Sequence, residues 1–180
     1  MCAARGGTLL GWGGRLGSMS VRDEVLSLLR ENARYSTADL ARLTDADEGT
    51  IEETIEALEA EGVIRGYGAV VDWRRTDDEP VRALVECNVT LDRETGYDDI
   101  ADRLAKFPEV ESLRLVSGDY DFSMGVRADS MGEVSRFVAE KVAPVPEITQ
   151  TVTHYLMATY KERGVEFGDG HDDDRLSVSP

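Results

Sequence analysis

Between residues 81 and 160 the hydrophobic pattern switches repeatedly between the period of a strand and that of a helix, and this alternation constrains the fold most. Residues 81–89 read as a strand, and 97–107 as a helix stopped by Pro108. A second strand over 110–116 and a third over 122–126 flank the tight turn Gly118-Asp119-Tyr120-Asp121. Ser130 caps a helix running to about residue 142, closed by Pro144 and Pro146. Residues 148–160, rich in β-branched and aromatic side chains, read as a long fourth strand. The order β-α-β-β-α-β predicts a ferredoxin-like sandwich over 81–163, with one antiparallel sheet and two helices on one face.

Ahead of this unit, residues 20–61 carry three helical stripes. Val21, Val25, Leu28 and Leu29 form the first. Ser36, with Asp39 three residues on, predicts a capped second helix bearing Leu40 and Leu43. Asp45-Ala46-Asp47 makes a turn, and Asp47 caps a third helix that buries Ile51, Ile55 and Leu58 and ends at Gly62 as a left-handed cap. Residues 63–72 then read as one or two short strands, a wing. The fold class is therefore α+β: a winged helix-turn-helix over 19–71, a linker over 72–80, and the ferredoxin-like unit. The acidic stretch 164–180 is expected to be a flexible tail. Residues 1–18 are Gly-rich and carry no acid; they are expected to be a disordered leader, with Met19 the true start.

Thirty-six Asp and Glu stand against 20 Lys and Arg, a formal net charge of −16, and only three of the basic residues are lysines. That balance suits a salt-rich cytoplasm, such as that of a salt-adapted archaeon, where mutual repulsion of carboxylates is screened. The two cysteines, Cys2 and Cys87, give neither a disulfide framework nor a metal spacing. No apolar run is long enough to span a membrane, so a cytoplasmic protein is expected.

The run LARLTDADEGTIEETIEALEAEGVIRGYGAVVD resembles the helix-turn-helix and hinge strand of the Lrp/AsnC family, and EGVIRGY is especially typical. The following βαββαβ unit, with SGDYDF between its second and third strands, resembles the family's amino-acid-binding domain. The resemblance covers about residues 20–163. It implies double-stranded DNA as one partner and a small effector, usually an amino acid, as another. It also implies a homodimer, formed through the sheets and the hinge strand, that stacks into tetramers or octamers. The effector is expected near Ser117, Gly118, Asp119, Tyr120 and Asp121, with Thr151 and Thr153 nearby. Exposed turn amides suit a carboxylate, and Asp119 or Asp121 suits an ammonium group.

The DNA-facing candidates are Thr37, Gly49, Thr50, Glu52, Glu53, Thr54 and Arg65, with Arg34, Arg74 and Arg75 toward the flanking backbone. One departure from the family stands out: relatives carry Arg or Lys where this chain has Glu52 and Glu53. Between Val21 and Glu61 there are four Arg and twelve Asp or Glu, a local net charge of −8. Unneutralised acid opposes phosphate at low salt. The main expectation is DNA binding in concentrated salt. The alternative is a DNA-free oligomer that senses amino acids or bridges proteins and keeps the helix-turn-helix as a relic.

No enzyme is expected. Sirohaem decarboxylases share the two-domain plan but need clustered His and Arg, which the second unit lacks. No nucleophile–base pair, phosphate loop, cofactor motif or metal cluster appears either. His154 and His171 are isolated, and Cys87 reads as a small buried hydrophobe.

Overall fold

The computed structural model describes residues 20–92 and 95–168. The expectations for the 1–18 leader, for Met19 and for the tail beyond Gly168 fall outside these residues. Contacts group the chain into two units, one ending at Ala69 and one starting at Val70.

The first unit has three helices, α1 (Val21–Glu31), α2 (Thr37–Thr44) and α3 (Glu48–Ala60). Each start is fixed by its own cap. Ser20 accepts from the Asp23 amide, Ser36 and Asp39 form a reciprocal capping box, and Asp47 accepts from the Thr50 amide. Asp45 adopts a left-handed conformation, with φ of 55°, between α2 and α3. Gly62, at φ 69°, ends α3 and lets the amides of Val63 and Ile64 return to the Leu58 carbonyl. Val25, Leu40, Ala41, Ile51 and Leu58 form the buried core, with Leu28, Leu29, Ile55 and Ile64 packed around it. Each fully buried aliphatic side chain contributes roughly 1.5–3 kcal/mol.

The expected wing strands do not form. Residues 63–72 carry no ladder among the described residues. A strand is defined by its partner, and neither α3 nor the flanking turns present an edge to this segment.

The second unit contains β1 (Val81–Val89), α4 (Tyr97–Leu104), β2 (Val110–Leu115), β3 (Phe122–Ala128), α5 (Met131–Phe137), β4 (Ile148–Tyr155), β5 (Lys161–Glu162) and β6 (Val165–Glu166). The main sheet is antiparallel, in the order β2-β3-β1-β4. Ala83, Val85 and Cys87 of β1 share one face with Phe122, Met124 and Val126 of β3, and against them pack Ile100 and Leu104 of α4 and Val134 and Phe137 of α5. Both helices thus cover one face, which is the ferredoxin-like arrangement. The expected second helix is α5 continued by a wider turn over Val138–Val142.

Two expectations are corrected at the C-terminal end. β4 stops at Tyr155, not at residue 160, because its partner β1 begins at Val81; the final rung is the Leu156 amide donating to the Arg82 carbonyl. The chain beyond Gly164 is not a free tail throughout. Val165 and Glu166 pair with Lys161 and Glu162, and Phe167 is buried beside Val71, Trp73 and Leu156. The Phe167 carbonyl accepts from Arg74 Nη2 at 2.5 Å. One aromatic ring anchors an otherwise polar segment. The linker also has structure, a single helical turn at Trp73–Arg75 capped by Asp72, with the Arg127 guanidinium 5.7 Å from the centre of the Trp73 ring.

Candidate functional sites

α3 is the second helix of the helix-turn-helix, and its outer face is set by its core. Ile51 and Leu58 are buried, so the opposite side presents Gly49, Glu53 and Glu56, flanked by Glu52 and Thr50, all exposed. The two threonines are already engaged. The Thr50 hydroxyl donates to Asp47 Oδ2 at 2.6 Å, and the Thr54 hydroxyl donates to the Thr50 carbonyl at 2.7 Å. The Thr50 hydroxyl, followed by the Thr50 amide, holds the Asp47 carboxyl below the usual carboxylate range. Thr37 opens α2 half-buried. Glu59 accepts from the Tyr67 hydroxyl at 2.8 Å, and burial together with that carboxylate pushes the phenol up.

The basic residues divide into two groups. Arg74 and Arg75 both pair with Asp72, and Arg22 pairs with Glu61, so these guanidiniums are engaged within the chain. Asp72 and Glu61 are both held low by the arginine facing them. Arg34 and Arg65 are exposed and carry no ion pair among the described residues. Arg30, at the end of α1, joins them; sequence reasoning passed over it because its side chain falls outside the helix-turn-helix proper.

The turn between β2 and β3 is the second candidate. Gly118 has φ of 145°, a conformation open to glycine and strained for other residues. Ser117, Gly118 and Asp119 are exposed, as are Leu115 and Val116 beside them, whereas Tyr120 is half-buried. The two acids differ sharply. Asp119 stands in solvent. Asp121 accepts from the Val89 amide at 2.9 Å through Oδ2 and from the Tyr97 hydroxyl at 3.2 Å through Oδ1. Its own amide donates to the Cys87 carbonyl. Asp121 therefore fastens the turn to the end of β1 and the start of α4, and it is not the free ammonium partner that the sequence suggested. The Asp121 charge also raises the Tyr97 phenol.

Thr151 and Thr153 pair with Cys87 and Val85, which places them on the helix-covered side of the edge strand β4. Thr151 shares a row with Cys87 and Phe122, so it sits at the same end of the sheet as the turn, two strands away. No hydrogen bond joins the turn to either threonine among the described residues. Sequence reasoning missed Tyr97 and the Val89 amide; the one local sign was a tyrosine at the first position of a helix, close to a hairpin end. Groups of His, Cys, Asp and Glu able to hold a metal are absent among the described residues. No described helix is long and apolar enough to cross a membrane.

Comparison with known proteins places names beside this geometry. Residues 24–65 match the winged helix-turn-helix DNA-binding family, and residues 82–166 match the Lrp/AsnC ligand binding domain. The uncharacterized HTH-type transcriptional regulator YugG of Bacillus subtilis is 39% identical over 158 residues, covering 87% of this chain and 95% of its own. The leucine-responsive regulatory protein of Haemophilus influenzae is 24% identical over 139 residues, covering 77% and 83%. A transcriptional regulator of Neisseria meningitidis, solved in complex with L-Met, superposes with a TM-score of 0.63 at 19% identity, covering 81% of this chain and 94% of that one.

Proposed function

Because the chain belongs to the Lrp/AsnC family of helix-turn-helix transcriptional regulators, we propose that it works on DNA in concentrated salt, under the control of an amino-acid effector held near the Gly118 turn. The family is not enzymatic, and the chain is a regulator. The observation that carries the salt-dependent part is α3 itself, where Glu48, Glu52, Glu53 and Glu56 are exposed, whereas the exposed arginines of the first unit without an ion pair among the described residues, Arg30, Arg34 and Arg65, lie outside that helix. At about 0.1 M salt the Debye length is about 10 Å, and at about 1 M it is about 3 Å. Concentrated salt therefore removes most of the long-range repulsion between α3 and phosphate while leaving short hydrogen bonds in place. Cytoplasmic residence in a salt-adapted host belongs to the same reading.

Assembly is the other part. The sheet face away from α4 and α5 carries Leu84, Glu86, Val152 and His154, with no helix over it among the described residues. Residues 63–72 form no ladder among the described residues. A second copy fits both surfaces, giving a dimer that stacks further. At the turn, exposed amides suit a carboxylate, Asp119 suits an ammonium group, and exposed Leu115 and Val116 suit an apolar side chain. Leucine, in the name of one relative above, and L-Met, in complex with another, have that chemistry. Thr151, in the row of Cys87 and Phe122 at the turn's end of the sheet, is the nearer of the two threonines, and Thr153 lies two residues further along β4.

The test is fluorescence anisotropy on genomic promoter fragments, from dilute buffer to molar KCl, repeated with each of the twenty amino acids. Binding that holds or strengthens as salt rises, and shifts with one small set of amino acids, is the expected result. Absence of specific binding at every salt concentration would leave the DNA-free oligomer as the better reading.

A further inference from the structure

The helix-turn-helix, not its charge, marks α3 as the surface that meets the groove, and its side chains decide which base edge it can read. On the meridian opposite Ile51 and Leu58, Gly49 contributes no side chain, so the groove floor can approach the backbone of the first turn. One turn further along the same side stands the exposed carboxylate of Glu53. Glu53 and its neighbours Glu52 and Glu56 have no hydrogen bond or ion pair among the described residues. The hydroxyl protons beside them are already committed, that of Thr50 to Asp47 and that of Thr54 to the Thr50 carbonyl. This stretch of α3 therefore offers hydrogen-bond acceptors and no side-chain donor, since an ionised carboxylate only accepts.

We infer that Glu53, flanked by Glu52, selects a cytosine in the major groove by accepting a hydrogen bond from its N4 amino group. This rests on the reading that α3 enters the groove. Guanine shows the acceptors N7 and O6 there, and thymine shows O4 and a methyl group. Adenine shows a donor, N6, but that amino group lies between its own N7 and the O4 of its thymine partner, two acceptors that repel a carboxylate. The cytosine amino group lies at the end of its row, next to the C5–H, with an acceptor on one side only. An acceptor-only helix face thus has one best base. The arginine-to-guanine contact, the commonest specific one, has no donor on this face to make it.

The experiment uses the full chain in concentrated KCl. Bound duplexes are selected from a random library, and the selected site is then resynthesised with N4-methylcytosine at the enriched position. The N4-methyl group takes the groove-facing hydrogen position of the amino group and leaves pairing with guanine intact. The expected result is cytosine enrichment at one position of each half-site and a loss of about tenfold or more in affinity on N4-methylation. Glu53→Gln, checked for folding by circular dichroism, is expected to shift the preference toward adenine, since an amide both donates to N7 and accepts from N6. Tight selected binding with no cytosine preference, or with indifference to N4-methylation, overturns the inference and leaves DNA binding intact. This arm uses the unsubstituted protein, so it stands even if the variant misfolds. Recovery of no bound duplex at any salt overturns DNA binding itself, and this inference with it.

Discussion

Cys87 shows how one residue can be chemically silenced by its place in a strand. It lies in β1 in one row with Phe122 and Thr151, fully buried, and burial pushes its thiol up to about 11. The thiolate is the reactive form, so the native protein is expected to leave Cys87 unmodified by Ellman's reagent at neutral pH. Modification should begin only when denaturant unfolds the second unit; rapid labelling of this residue in the native state would contradict the packing described. Cys87 was legible beforehand because Ala83, Val85 and Cys87 fall on alternate positions of one strand, with Arg82, Glu86 and Asn88 among the positions between and beside them. Asp121 was not. Its partners Val89 and Tyr97 lie 32 and 24 residues away, and only the folded sheet brings them to its carboxylate. Thr50 and Thr54 were readable as helix hydroxyls, but a sequence does not say whether a hydroxyl bonds outward or back onto its own helix.

At the scale of the element, an aspartate takes part in the capping of α2, as Asp39 in its capping box, and of α3, as the N-cap Asp47, and these make both helices sensitive to acid. Asp39 and Asp47 are held below the usual carboxylate range, chiefly by the Ser36 and Thr50 hydroxyls. A folded-state value below the unfolded one contributes stability that is complete above the unfolded value. That contribution is lost as pH falls through the folded value. Thermal melts are therefore expected to fall from about pH 4 downward. Asp47→Asn should remove the α3 share of that fall while keeping the cap, since Asn caps nearly as well as Asp. Parallel acid profiles for the two proteins would sink the assignment. The helix starts were legible for the same reason that they are local: cap and amide lie three residues apart. The wing strands, the end of β4 and the β5–β6 hairpin were not. Each depends on which edge is in reach, and β4 ends where β1 supplies no further partner, although its β-branched sequence runs on.

For the whole molecule, the governing quantity is charge. With a net charge of −16, the folded state concentrates carboxylates that dilute buffer does not screen. Melting temperature is expected to rise with KCl, and dialysis to low salt is expected to loosen or unfold the chain. Calorimetry over a salt series checks this, and a flat series would remove salt adaptation from the account. The order of the two units was readable from hydrophobic period alone, since a helical stripe repeats about every 3.6 residues and an alternating strand every 2. Charge was equally readable as a sum, but not its effect on DNA, which depends on the few side chains that α3 turns outward.

The fastening of the Gly118 turn by Asp121 has a practical corollary. Tyr97 hydrogen-bonds to that carboxylate and also meets the Phe122 ring edge-on, with ring centres 5.9 Å apart. A ligand that pulls on the turn tugs the same oxygen atoms that hold the phenol. If the turn is the effector site proposed above, the ring resonances of Tyr97 are expected to shift on adding the amino acid, a readout by NMR that needs no attached label.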